Sequence, residues 1–153
     1  MRPPQPPSTA IATLVERLVT APAFWVDSDS RSHRVTGEDI LIVSPYNAQV
    51  SRLRRRFDAS GFEVPRIGTV DKFQGQEAPV AIYSMAASRA EDAPRGMEFL
   101  FSLNRLNVAT SRVRCAVVVV ASPALFAPVC VTPRQMQLAS AMCLYREMAR
   151  GLA

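Results

Sequence analysis

GTVDKFQGQE, residues 68–77, is a polar segment that separates two apolar runs. The run before it is VPRI at 64–67 and the run after it is PVAIYSM at 79–85. Both are rich in β-branched and aromatic residues, which predicts two short strands. The segment is therefore expected at strand ends, where open α/β sheets place their ligand sites. Its residues suit a polyanion, because Lys72 offers a cation and Gly75 allows backbone to approach a ligand closely, while Glu77 offers a carboxylate for ribose or water.

A second polar stretch precedes the most apolar run of the chain. NRLNVATSRVR, residues 104–114, comes directly before CAVVVVA at 115–121, which predicts a strand buried on both faces. Arg105, Arg112 and Arg114 gather at the start of this predicted strand. Solubility does not require so many arginines at a strand end, so the stretch predicts a phosphate ligand.

The remaining sequence alternates predicted helices and strands. Apolar spacing predicts helices at 9–20, 47–59 and 133–148, and short strands at 24–26 and 40–43. Residues 27–34 and 86–97 are expected to form polar loops. This alternation indicates a parallel sheet covered by helices on both faces. Right-handed crossovers are expected to bring Ser44, Thr69, Ser84 and the arginine-bearing stretch to one region of the sheet edge.

The composition indicates a single globular domain with a basic surface. The chain has 153 residues, 48% of them hydrophobic, and a net charge of +5. Among its 18 basic residues only Lys72 is a lysine, which fits a nucleic-acid partner and equally fits a GC-rich genome. Residues 1–8 are expected to be disordered or a linker, and residues 9–150 to form the domain. With no signal peptide and no long apolar run, a cytoplasmic location without membrane contact is expected.

Several features favour ordinary structural roles over chemistry. The three cysteines, at positions 115, 130 and 143, and the single His33 lack the spacing of a zinc site or a disulfide framework. Buried, reduced thiols and no metal site are therefore expected. The arginines of RLRRR at 52–56 favour a solvated helix face over a phosphate-binding stripe. Trp25 favours a packed anchor over a base-stacking platform.

Three short motifs, in order, resemble motifs IV, V and VI of superfamily 1 helicases. They are SPYNAQ at 44–49, TVDKFQGQE at 69–77 and RLNVATSR at 105–112. The resemblance extends over residues 39–137. The stretches PRGMEFLFSLNRLNVATSR at 94–112 and TPRQMQL at 132–138 resemble the C-terminal end of bacterial RecB-like nuclease and helicase fusion proteins. That group belongs to a branch that includes RNA-surveillance helicases. The resemblance implies an α/β, RecA-like fold with a mostly parallel sheet, the second of two lobes that enclose ATP.

The resemblance also implies a role for each matched position. Arg112 matches the arginine finger that contacts the γ-phosphate of ATP, and Ser111 beside it departs from the family pattern. The positions implied to lie near the nucleotide are Gly75, Glu77, Arg105 and Arg112. The positions implied to contact single-stranded DNA, or RNA, are Ser44, Tyr46, Asn47, Thr69 and Ser84. Asp71 and Gln74 are implied to couple the two sites. For Arg105 and Arg114, a structural salt bridge with Glu98 or Asp71 is an equal alternative.

The sequence contains no G-x-x-x-x-G-K-[ST] loop, which cradles the phosphates of ATP in motors of this class. The chain alone is therefore predicted to be inactive. ATP and Mg²⁺ are expected to be held mainly by a partner, the N-terminal RecA-like lobe, and a fused nuclease domain is a further implied partner. The alternative is a non-catalytic nucleic-acid-binding or docking module with the same fold. No constellation supports an unrelated enzyme with a Cys or His nucleophile.

Overall fold

The computed structural model describes residues 6–61 and 63–149. A four-stranded parallel sheet with strand order β4-β3-β5-β6 forms its centre, and β1 pairs with β2 in a separate antiparallel hairpin. This confirms the predicted α/β class with a parallel sheet. The elements in chain order are α1 (Pro7–Thr20), β1 (Phe24–Val26), β2 (Ser32–Arg34), β3 (Ile40–Ser44), α2 (Asn47–Asp58), β4 (Arg66–Thr69), β5 (Ala78–Ser84), α3 (Gly96–Leu100), α4 (Leu103–Thr110), β6 (Val113–Val120) and α5 (Pro133–Met148).

The two faces of the sheet bury two separate cores. Ile40 and Ile42 of β3 pack into the core on the side of α1 and α2, which also holds Leu53. Leu41 and Val43 face the other core, to which α3, α4 and α5 contribute. Successive side chains of a strand point to opposite faces, so an unbroken apolar run is required where both faces are covered. The residues of α4 and α5 buried there are Leu106, Leu138 and Met142.

Most predicted elements are present close to their predicted positions. The helices predicted at 9–20, 47–59 and 133–148 are confirmed as α1, α2 and α5. Of the predicted linker, residues 1–5 lie outside the described residues, whereas Pro7 and Ser8 already belong to α1. Proline fits the first turn of a helix, where its missing N–H costs nothing. Three elements were not predicted: β2, α3 and α4.

The prediction that the apolar run at 115–121 is buried on both faces is wrong. The run forms most of β6, the last strand of the sheet, which pairs only with β5 among the described residues. Residues 114–116 are exposed and residues 117–120 are only partly buried. An apolar run indicates a strand but does not say how many neighbours the strand has, which is why the prediction failed.

The hairpin of β1 and β2 is held by Trp25. Its ring stacks on His33 at a centroid distance of 4.6 Å and packs against the core of α1 and α2, which agrees with the expected anchor role. Nε2 of His33 lies 2.7 Å from Oδ2 of Asp27. This hydrogen bond, with others from backbone N–H groups, lowers the pKa of Asp27 below its ordinary value.

Candidate nucleotide and nucleic-acid sites

The predicted site residues lie at two opposite edges of the sheet. Ser44, Thr69 and Ser84 end β3, β4 and β5, and so mark the carboxyl edge. Arg112 immediately precedes β6, whose first residue pairs with Ala78 at the start of β5. It therefore lies at the amino edge, a seven-residue strand away from Ser84, about 20 Å. The expectation that all motifs meet at one region is wrong, because a segment that precedes a parallel strand meets its amino end.

Four residues form a compact group at the amino edge, which we call the amino-edge cluster: Gly75, Glu77, Arg112 and Arg114. Nη2 of Arg114 donates a hydrogen bond of 2.7 Å to Oε2 of Glu77, and Nε donates a second one of 3.2 Å to the same oxygen. This confirms a salt bridge for Arg114, with Glu77 rather than Glu98 or Asp71 as its partner.

The amino-edge cluster has a net positive charge and contains a glycine with positive φ. The hydrogen bond from Arg114 is the main reason why the pKa of Glu77 is lowered, and the charge of Arg112 adds to it. Gly75 has φ +88°, and a Cβ built there would lie 3.6 Å from Nη1 of Arg112. The guanidinium of Arg112 thus faces a stretch of backbone that carries no side chain. Such an arrangement can present the guanidinium and the neighbouring main chain, side by side, to one phosphate group.

Arg66 was missed by the sequence reasoning and holds the segment that carries Gly75 and Glu77. Its Nη1 donates to Oε1 of Gln76 at 3.2 Å, and its Nη2 donates to the carbonyl oxygen of Glu77 at 3.2 Å. Nε2 of Gln76 in turn donates to the carbonyl oxygen of Lys72 at 3.3 Å. The sequence did contain a signal for this residue, because Arg66 is the one charged residue in the short run at 64–67.

Helix α4 separates Arg105 from Arg112. Oγ of Ser102 caps the helix by accepting a hydrogen bond from the N–H of Arg105, whereas Arg112 follows the residue that ends it. The two arginines thus lie at opposite ends of the helix. Arg105 contacts Phe99 and lies 3.9 Å from Oδ2 of Asp71, so it does not join the amino-edge cluster. The ion pair with Asp71 agrees with the salt-bridge alternative for Arg105, and its place beside the nucleotide stays a prediction.

The two serines at the carboxyl edge, Ser44 and Ser84, are buried. Ser44 and Ser84 have no exposed surface. Oγ of Ser44 accepts a hydrogen bond from the N–H of Tyr46 at 3.4 Å, and Oγ of Ser84 accepts one from Nε2 of Gln49 at 3.2 Å. Both hydroxyls thus tie the first turn of α2 to the sheet. Their burial does not fit the predicted direct contact with a strand of nucleic acid.

Other predicted residues of this edge remain accessible. Asn47 is exposed at the first turn of α2, and Thr69 is partly exposed. Asp71 and Gln74, the predicted coupling residues, are both exposed on the segment that connects the two edges. Tyr46 is only 9% exposed, and its ring lies 5.4 Å from that of Phe99. Burial raises the pKa of Tyr46 above its ordinary value.

The described residues contain no group of three or more His, Cys, Asp or Glu side chains that could hold a metal ion. All three cysteines are free; Cys115 is exposed, and Cys130 and Cys143 are partly buried. The expected burial of the thiols is therefore wrong for Cys115, which lies on the edge strand β6. Within the described part of the chain, no helix is long and apolar enough to cross a membrane.

The fold and these motifs define a helicase-like RecA domain, and comparison with known proteins agrees. A family model described as an AAA domain matches residues 8–124, so the chain belongs to this family. It is 38% identical over 97 residues to a probable RNA helicase, armi, of Drosophila melanogaster, which covers 61% of this chain and 8% of that protein. It is 44% identical over 75 residues to the DNA polymerase alpha-associated DNA helicase A of Schizosaccharomyces pombe, covering 49% of this chain and 11% of that protein.

A human protein, RNA helicase Mov10l1, is 34% identical over 97 residues, which is 61% of this chain and 8% of that protein. The chain thus spans about a tenth of the length of these relatives. The family match and the helicase relatives support a superfamily 1 helicase-like domain.

Proposed function

We propose that this chain is the second motor lobe of an ATP-dependent superfamily 1 helicase or translocase, supplying an arginine finger to ATP bound at the first lobe. The observation that carries the proposal is the position of Arg112 at the amino edge. It lies next to Gly75 in a chain that has no glycine-rich phosphate loop of its own. An arginine without a phosphate loop suits a lobe that completes a site built on another lobe.

The amino-edge cluster supports this role through its charge distribution. Glu77 is paired with Arg114, so its carboxylate offsets only part of the charge of Arg112 and the cluster stays positive. The guanidinium of Arg112 can then donate to the oxygens of a γ-phosphate while the backbone at Gly75 approaches it closely. An arginine in this place stabilises charge that develops during phosphoryl transfer, which increases the rate by about a thousandfold or more.

The residues present fit the phosphates of ATP but not the magnesium ion. Glu77 is the only carboxylate of the amino-edge cluster, and Arg114 occupies it with two hydrogen bonds. We therefore propose that the ligands of Mg²⁺ come from the first lobe. Mg²⁺ bound there would neutralise phosphate charge, and this chain would position Arg112 and exclude water from its side of the nucleotide.

The carboxyl edge is the proposed contact for single-stranded DNA or RNA. Asn47 and Thr69 offer polar groups to phosphate or sugar, and Tyr46 directly precedes Asn47 at the start of α2. We propose that Ser44 and Ser84 act by positioning the first turn of α2, through the hydrogen bonds described above. Asp71 and Gln74 lie on the segment between the edges, which supports their proposed role in coupling strand binding to the nucleotide.

The wider protein is also part of the proposal. We propose an N-terminal RecA-like lobe as the partner that binds ATP and a cytoplasmic location. A fused nuclease of the bacterial RecB-like type rests only on the sequence resemblance of residues 94–112 and 132–138. The relatives are named as RNA and DNA helicases, which lends the nuclease no support.

The test is ATP hydrolysis by a polypeptide that joins this chain to its ATP-binding lobe. Arg112→Ala is expected to lower turnover stimulated by single-stranded DNA by about a thousandfold, with strand binding largely kept. Arg55→Ala, which removes an equal charge from an exposed position of α2, is the matched control and should leave turnover unchanged. The 153-residue chain alone should show no hydrolysis. Turnover retained in Arg112→Ala would refute the arginine finger and favour the non-catalytic module.

A further inference from the structure

Two arginines contact one aromatic ring at the carboxyl edge. The Cζ atoms of Arg95 and Arg105 lie 4.0 Å and 4.2 Å from the ring centre of Phe99. We call these three residues the arginine clamp. The face of a ring attracts a guanidinium, but two like charges this close repel each other. The ion pair with Asp71 offsets one of them only weakly, since it is 3.9 Å long and the Asp71 side chain is 81% exposed.

The clamp lies beside a polar group that has no partner. Among the described residues, the buried hydroxyl of Tyr46 forms no hydrogen bond. The positive charges of Arg95 and Arg105 oppose the rise that burial causes in the pKa of Tyr46, so both guanidiniums act on this hydroxyl. Buried polar groups are nearly always hydrogen-bonded, and an unpaired one requires an explanation. Two guanidinium groups and an unpaired hydroxyl donor at one place form an environment that favours an anion.

The backbone of Arg95 adds a second, independent observation. Arg95 has φ +68° and ψ +10°, in the left-handed region that favours glycine. A hydrogen bond of 2.9 Å from the N–H of Gly96 to the carbonyl oxygen of Ala93 closes the turn in which it stands. Glycine would fit this position with less strain than arginine, and strained residues of this kind cluster at ligand sites.

The position of the clamp indicates which anion it binds. Arg95 directly precedes α3, Phe99 lies within α3, and Arg105 lies at the start of α4. The clamp is next to Tyr46, on the same edge as Asn47 and Thr69, and α4 separates it from Arg112. We propose that Arg95 and Arg105 bind a phosphodiester group of the single strand that crosses the carboxyl edge. This inference rests on the proposed function, and it moves Arg105 from the nucleotide to the nucleic acid. The guanidinium N–H groups would donate to the non-bridging phosphate oxygens.

The test compares two arginines of the same loop. Arg95→Gly removes the guanidinium and relieves the positive φ, so the fold should be kept; a thermal melt of each variant checks this. Arg89→Gly removes an equal charge from an exposed position of the same loop and is the matched control. Binding of fluorescein-labelled dT15 and rU15 to the full 153-residue chain is measured by fluorescence anisotropy over a series of KCl concentrations.

Arg95→Gly is expected to weaken binding of both oligonucleotides by about tenfold. It should also lower the slope of log Kd against log salt by about 0.7, the loss of one phosphate contact on a single strand. Arg89→Gly should change the Kd for each oligonucleotide by no more than about twofold and should leave the salt slope unaltered. If Arg95→Gly proves to have a lowered melting temperature, the comparison is repeated with Arg105→Gln. Its matched control is Arg134→Gln, at the exposed start of α5.

Three results would overturn the inference. Equal effects of Arg95→Gly and Arg89→Gly, with binding of the wild type intact, would remove the clamp from the strand site and leave the proposed function standing. A loss confined to rU15 would indicate a 2′-hydroxyl contact instead of a phosphate. No binding of either oligonucleotide by the wild-type chain would refute the nucleic-acid role of this edge, and the clamp with it.

Discussion

Gly68 determines how closely the polar segment at 68–77 folds back over β4. A Cβ at this position would lie 2.8 Å from Cδ of Lys72 and 3.0 Å from Cε2 of Phe73. The Lys72 stem is flexible and can move aside. Phe73 is buried in the core of α3, α4 and α5, so its ring has little room to retreat. The absence of a side chain at residue 68 is what allows the segment to reach the amino edge.

Gly68→Ala is therefore expected to lower the free energy of unfolding by about 1–3 kcal/mol, because the added methyl group overpacks the contact with Phe73. Urea denaturation of the chain measures this. The smaller side chain of Phe73→Leu should recover part of the loss when the two substitutions are combined, so a double-mutant cycle should show favourable coupling. Unchanged stability of Gly68→Ala, or purely additive losses, would contradict this account of the close approach.

At the scale of residues, the sequence predicted part of the site. Gly75, Glu77 and Arg112 do lie together, because they flank strands that are neighbours in the sheet. Arg105 does not join them, since the eight residues of α4 intervene, and this helix was not predicted. The contacts of Arg66 could not be predicted, because they depend on how the segment with Gln76 and Glu77 folds back beside β4. Arg95 contacts Phe99 only four residues further on, but helix α3, which sets this spacing, was not predicted.

The Glu77–Arg114 ion pair joins two elements, since Glu77 directly precedes β5 and Arg114 stands at the start of β6. Arg114 lowers the pKa of Glu77 in the folded chain. The resulting stabilisation is fully present above the ordinary pKa of a glutamate. It is lost as the pH falls through the lowered value, where the folded chain also takes up the proton.

The difference in unfolding free energy between wild type and Glu77→Gln is thus expected to depend on pH. It should be constant near neutral pH and should shrink as the pH falls to about 3. Urea denaturation of both proteins across this range measures it. The pKa of Asp27 is lowered as well, but Asp27 is present in both proteins and its contribution cancels in the difference. A difference that stays the same at low pH would show that the ion pair does not stabilise the fold.

At the scale of elements, the prediction succeeded where apolar periodicity was strong and failed where it was weak. The helices α1, α2 and α5 and the strands β3 and β5 follow directly from their patterns. Helix α4 was missed because its eight residues carry only one fully buried side chain, Leu106. Strand β2 consists of three exposed residues, and only its pairing with β1 defines it.

At the scale of the whole molecule, the parallel sheet was predicted and the arrangement of its edges was not. Alternating strands and helices determine the direction of every strand, but the place of each motif depends on whether it precedes or follows its strand. The motif before β6 meets the amino edge, and the motif after β3 meets the carboxyl edge. The chain therefore carries two candidate sites about one strand length apart, with Asp71 and Gln74 on the segment that connects them.

The central claim is that these two edges have different functions, and a pair of variants tests it in a polypeptide that joins this chain to its ATP-binding lobe. Arg112→Ala alters the amino edge, and Asn47→Ala combined with Thr69→Ala alters the carboxyl edge. ATP turnover at saturating dT15 and the Kd for dT15 are measured for both. We expect Arg112→Ala to lose about a thousandfold in turnover and keep its Kd within about twofold.

The carboxyl-edge variant should show the opposite pattern, with a Kd raised by about tenfold and turnover at saturating dT15 nearly unchanged. Such a double dissociation is expected if the two edges act separately. Parallel losses of turnover and strand binding in both variants would contradict it, because they would mean that the two edges serve a single site.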